Sequence, residues 1–116
     1  MAMYKIEAIV REEKLEDVKR TLNGIDVNGI TISQVMGCGV QKGYTELVRG
    51  TKIDIDLLPK IKFEIYVSSE EWRDKVIEVF KKAAWTGNVG DGKLFCFKID
   101  SVLRIRTGET DIEALN

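Results

Sequence analysis

Two stretches of this chain change hydrophobic period in the same order, and that repetition is what most constrains its fold. Tyr4, Ile6, Ala8 and Val10 alternate with Lys5, Glu7, Ile9 and Arg11, the pattern of a half-buried strand. Leu15, Val18 and Leu22 then recur at helical spacing across Glu12–Asn23, with Gly24 as the stop. Ile30 and Ile32 resume a strand. Further on, Ile61, Phe63, Ile65 and Val67 alternate against Lys60, Lys62, Glu64 and Tyr66. Ser68 with Glu71 fits a capping box, and Trp72, Val76, Val79, Phe80 and Ala83 form one apolar helical face. Leu94–Ile99 reads as a strand and Val102–Arg106 as a short extra one.

The order is therefore β-α-β, a long loop, then β-α-β. It predicts an α+β fold of the ferredoxin-like, split βαβ kind, with an antiparallel sheet carrying two helices on one face. The other face holds Ile9, Tyr66 and Phe97, so burial by oligomerisation is expected. At 116 residues the chain suits a single domain, 1–116, interrupted by a long flexible loop at about 38–57. A loop of this length in a small domain is generally functional or disordered.

Composition removes several functional classes. With 18 basic and 19 acidic residues there is no electrostatic footprint for nucleic acid or an anionic membrane. Apolar runs fall far short of the roughly 20 residues that span a bilayer. The first ten residues lack the apolar block of a signal peptide, so a cytoplasmic location is expected. There is no histidine, which withdraws the usual general base at neutral pH, and the chain is not expected to be an enzyme. Cys38 and Cys96 form no CxxC pair; Cys96, in an apolar run, is expected as a small buried hydrophobe.

Three segments carry chemistry. In Thr86–Lys93, TGNVGDGK, glycines let backbone N–H groups turn inward around an anion, and Lys93 adds a charge. It is not a P-loop, because Leu94 stands where Ser or Thr would bind magnesium. In RIRTGE, Arg104 and Arg106 would share one face of a strand and fork onto a polyphosphate. Gly37–Gly50, GCGVQKGYTELVRG, is donor-rich at the root of the long loop. Taken singly, each also reads as something plainer: a glycine turn, two solvated arginines, a mobile hairpin.

In combination they resemble a known family. TGNVGDGK followed by RIRTGE, GxGxQKG before a long loop, LLPKIKFEI after it and the opening KIEAIVREEKLEDVK are similar to the nitrogen-regulatory PII signal-transduction proteins, over residues 3–113. The resemblance implies a homotrimer that binds ATP or ADP in the clefts between subunits. Gly90, Asp91, Gly92 and Lys93 would wrap the phosphates, with Arg104 and Arg106 reaching in. Thr31 and Glu64 would lie on the adenine or ribose side, and Gly37 and Gly39 would close the cleft. Gln41 would ligate magnesium carried by ATP, and Lys60 would pair with a carboxylate of 2-oxoglutarate beside the amides of Gly39, Lys42 and Gly43. The loop around Arg49 would dock on an ammonium channel or a nitrogen-metabolism enzyme, so that a membrane is met only through a partner. A PII-like trimer for another ligand, bicarbonate- or metal-linked, is the alternative that the intact QKG and Lys60 argue against.

The sequence also departs from the family pattern. Val40 stands where many members carry a basic residue, Glu12 where proline is common, and Thr51 where some carry a phosphorylatable serine. Trp85 is unusual and is expected at a subunit edge. Ile53 replaces the family's modifiable loop tyrosine and has no hydroxyl. Incubation with a uridylyltransferase and UTP should therefore leave the mass of this position unchanged by mass spectrometry.

Overall fold

A computed structural model describes residues 2–27, 29–38, 46–48, 51–53 and 57–115. Strand β1 (Met3–Arg11) leads through a short 3-10 turn (Glu12–Lys14) into helix α1 (Leu15–Gly24) and strand β2 (Ile30–Cys38). A small antiparallel ribbon of β3 (Glu46–Val48) and β4 (Thr51–Ile53) lies within the long loop. Then come β5 (Leu57–Val67), α2 (Glu70–Ala83), β6 (Gly92–Ile99) and a last turn of helix, α3 (Ile112–Leu115).

The main sheet has the order β2-β5-β1-β6, every neighbouring pair antiparallel. Each β-α-β unit therefore straddles a strand of the other, which is the split topology expected of a ferredoxin-like fold. Alternation sorts the side chains. Tyr4, Ile6, Ala8 and Val10 of β1 and Ile61, Phe63, Ile65 and Val67 of β5 are buried against Val18 and Leu22 of α1 and Val76, Val79 and Phe80 of α2. Phe63 and Phe80 meet edge to face with ring centres 5.4 Å apart.

The opposite face is left open by the described residues. Tyr66, Phe95 and Phe97 remain 42%, 44% and 47% exposed on it. Between them runs a charged ladder. Lys5 Nζ lies 3.2 Å from both Glu7 and Glu64, Lys62 Nζ is 3.7 Å from Glu7, and Lys5 sits 5.8 Å above the Phe97 ring.

Several local expectations are corrected. The first helix does not start as an α-helix at Glu12; neither Arg11 nor Lys14 supplies a side-chain cap, and the opening turn tightens to 3-10 geometry. Its exit is made by Asp26, whose φ is +65°, beyond Gly24. Helix α2 is capped by Ser69, whose Oγ accepts from the Trp72 N–H at 3.1 Å, and not by Ser68. Ser69 has the extended backbone of an N-cap, one residue further on than the capping-box spacing predicts. Val102–Arg106 is no strand: only Leu103 and Thr110 form a bridge, closing a turn in which the Gly108 N–H donates to the Arg104 carbonyl at 2.8 Å. Cys96 is exposed because β6 is an edge strand that α2 does not cover, although partial desolvation still pushes its thiol pKa up.

Pro59 in β5 is tolerated for a topological reason. The β1 pairing of β5 ends at Arg11 opposite Lys60, so at Pro59 the strand has only β2 beside it, through Met36. In the core, Phe63 is fully buried between the helices. Phe63→Ala should cost about 3–5 kcal/mol of stability, read from the shift of the urea unfolding midpoint at constant slope.

Candidate functional site: a glycine loop anchored to the open sheet face

The loop between α2 and β6 is built around one carboxylate. Asp91 Oδ2 accepts the backbone N–H groups of Thr86 at 2.7 Å and Gly87 at 2.9 Å; Oδ1 accepts the Thr86 hydroxyl and, at 3.0 Å, the Nε of Arg11. The Thr86 hydroxyl oxygen in turn accepts the Asn88 N–H at 3.1 Å. With so many donors the Asp91 carboxyl is held well below the usual carboxylate range, chiefly by the Thr86 hydroxyl and N–H and then by Arg11 and Gly87. Asp91 thus points into its own loop and organises it, and what it can offer a ligand is its backbone.

Two cations from the open sheet face grip the same loop. Arg11, the last residue of β1, donates from Nη2 to the Val89 carbonyl at 2.8 Å. Lys60, its neighbour across the β1–β5 pair, donates from Nζ to the Gly90 carbonyl at 2.9 Å. The glycines are there for space. Gly90 and Gly92 have φ of +103° and +107°, and a Cβ on Gly92 would fall 1.8 Å from the Ile9 carbonyl oxygen, so no other residue fits. A Cβ on Gly37 would press on the Lys60 stem at 3.3 Å.

The structure brings together much of the expected site. Gly37, Lys60, Gly90, Asp91 and Gly92 meet at one end of the sheet, and Lys93 follows in β6 opposite Ile9. Thr31 and Glu64 are paired across β2 and β5 on the same face, although Glu64 is bound to Lys5. Arg104 and Arg106 do not share a strand face. Arg104 holds the C-terminal turn, donating to Glu109 Oε1 at 2.9 Å and the Ala114 carbonyl at 3.0 Å, while Arg106 lies exposed in the turn itself. Gly39, Gln41, Lys42, Gly43 and Arg49 lie outside the described residues, as do the side chains of Thr51 and Ile53. Among the described residues, no group of three or more His, Cys, Asp and Glu is placed to hold a metal ion.

Arg11 and Thr86 are the partners of Asp91 to which the sequence assigns no role of their own: Arg11 ends an alternating strand, and Thr86 opens the glycine loop. A threonine five positions before an aspartate in a glycine loop is the available signal, since that spacing lets the carboxylate close the loop. Trp85, 67% exposed, packs its indole over Gly87 and so lies beside the loop.

Comparison with known proteins bears on what this loop belongs to. Residues 3–109 match the family model described as nitrogen regulatory protein P-II. The chain is a P-II family member. The nitrogen regulatory protein P-II of Pasteurella multocida is 46% identical over 97% of this chain and all of that protein. The nitrogen regulatory protein GlnK of Escherichia coli is 42% identical over the same shares. Among solved structures, B. subtilis GlnK superposes with a TM-score of 0.81 at 43% identity, covering 99% of this chain and 100% of that one. A B. subtilis GlnK-ATP complex gives 0.78 at 36% identity, covering 98% of each chain. The P-II member described here is accordingly a nitrogen-regulatory signal transducer and not an enzyme.

Asp91 makes the loop acid-sensitive in a defined direction. Its folded pKa is depressed, so its stabilisation is complete above the unfolded carboxyl pKa of about 4 and is lost as pH falls towards the folded value. Asp91→Asn should melt below wild type at neutral pH, and the gap in thermal midpoint should narrow as pH drops below about 4.

Proposed function

We propose that this P-II protein senses ATP and ADP through the loop 86–93 and 2-oxoglutarate through Lys60, and passes their state to a target protein through the loop at 38–57. The observation that carries this reading is the pair of cation-to-carbonyl bonds from Arg11 and Lys60. They hold a glycine loop at the end of an open sheet face, which supports reading its backbone amides as the cradle for an anion. The ATP complex of the similar B. subtilis GlnK supports nucleotide as the ligand.

In this reading Gly90, Asp91 and Gly92 present backbone amides to the phosphates and Lys93 supplies charge. Arg104, held within one chain by Glu109 and the Ala114 carbonyl, and Arg106 come from a neighbouring subunit of a homotrimer. Trimerisation also covers Tyr66, Phe95 and Phe97, an apolar strip that a lone subunit leaves in water. Thr31 and Glu64 line the nucleoside end, and Gly37 and Gly39 close the cleft beside the phosphates. Gln41 offers an amide oxygen, suited to magnesium carried by ATP, and Lys60 with the amides of Gly39, Lys42 and Gly43 takes the dicarboxylate. Arg49 is the contact to the target, for which an ammonium channel or a nitrogen-metabolism enzyme in the cytoplasm is the expected kind. Ligands act by favouring one of two loop populations.

Calorimetric titration tests the scheme. Wild type should bind ADP and MgATP, and 2-oxoglutarate only in the presence of MgATP. Gln41→Ala should keep ADP binding and lose the 2-oxoglutarate response, whereas Asp91→Ala with Lys93→Ala should weaken both nucleotides. Light scattering should give a trimer at micromolar concentration. Equal loss of ADP affinity in Gln41→Ala and the double variant would overturn the assignment of roles.

A further inference from the structure

We propose that Arg11 is a positioning residue for phosphate recognition, acting through the loop's peptide groups and not on the ligand. The inference rests on nucleotide binding at loop 86–93. Arg11 spends its guanidinium on the loop from behind: Nε on Asp91 Oδ1 at 3.0 Å and Nη2 on the Val89 carbonyl at 2.8 Å, with Nη1 3.8 Å from Glu13. Lys60 holds the next carbonyl, that of Gly90. Two consecutive carbonyls are therefore drawn to the cations of the sheet.

The consequence follows from the planar trans peptide. The chain has no cis peptide bond among the described residues, so each N–H points opposite to the carbonyl of its own peptide unit. When Val89 and Gly90 turn their carbonyls to Arg11 and Lys60, the N–H groups of Gly90 and Asp91 leave on the other side of the loop. That gives two adjacent donors aimed the same way, the arrangement of an anion-binding nest. The positive φ of Gly90 is the backbone cost of this double turn, and Arg11 packs closely enough that a Cβ there would meet Nη2 at 3.3 Å.

Arginine is required by the geometry. Its planar fork reaches a carboxylate and a carbonyl at once, while a lysine ammonium at the same place serves one of them well. The side chain is only 23% exposed, so the fork is held in place by its surroundings.

Because these bonds act on the phosphate end alone, the test separates ligands by their phosphates. Wild type, Arg11→Met and Arg11→Lys are titrated with ADP, inorganic triphosphate and adenosine, and their thermal midpoints are compared without ligand. Arg11→Met should lose about ten- to a hundredfold in affinity for ADP and triphosphate, the size expected for charge-assisted bonds, with adenosine binding unchanged. Arg11→Lys should fall between the two. If Arg11→Met does not fold, the intermediate ADP loss of Arg11→Lys with unchanged adenosine binding carries the result. ADP affinity equal to wild type in both variants, or equal losses for ADP and adenosine, overturns the role of Arg11 and leaves nucleotide binding standing. Absence of ADP binding by wild type overturns both.

Discussion

The antiparallel pairing of β1 with β5 is the constraint on which the rest of the molecule depends. These two strands occupy the centre of the sheet, and their register decides which side chains meet the helices and which meet the open face. Ile6 opposite Ile65 and Ala8 opposite Phe63 make the core floor; Glu7 opposite Glu64 and Arg11 opposite Lys60 make the opposite surface. A slip of one residue would exchange the two sets, putting lysines under the helices. The same register sets Arg11 and Lys60 side by side where β1 ends, and both reach the glycine loop. Site and core are therefore specified by one alignment.

Asp91 extends that logic from the sheet to the loop. Its carboxylate links the exit of α2, through Thr86 and Gly87, to the end of β1, through Arg11. The loop is thus hydrogen-bonded along its inner side while its outer side is backbone. Gly92 then lets β6 begin in contact with Ile9, which no side chain would allow. Binding chemistry of this kind needs few side chains aimed at a ligand, because the peptide groups themselves are the donors.

Much of this was legible in the sequence, because the two period changes have direct physical causes. Alternation over Tyr4–Val10 and Ile61–Val67 reports a sheet with one covered face, and the stripes at Val18–Leu22 and Val76–Phe80 report the covering helices. What was less legible depends on contacts far apart in the chain. Arg11 and Asp91 are 80 residues apart, and nothing local marks them as partners. Cys96 lies in an apolar run, yet its exposure is set by strand order, which puts β6 at the edge. Arg104 and Arg106 obey strand spacing, but Gly108 turns the chain back and gives Arg104 to Glu109. Ser68 and Ser69 compete for one cap, and only the end of β5 decides between them.

Pro59 has a consequence beyond its place in the pairing. Where β5 outruns β1, its backbone would present an unpaired N–H along an extended, apolar stretch that includes exposed Leu57 and Leu58. Such an edge is a template on which any passing extended chain can add itself. Proline has no N–H to offer and cannot be zipped into a growing ladder. The one proline of the sequence thus stands guard against cross-chain strand addition at the point where the sheet is narrowest and the long loop rejoins it.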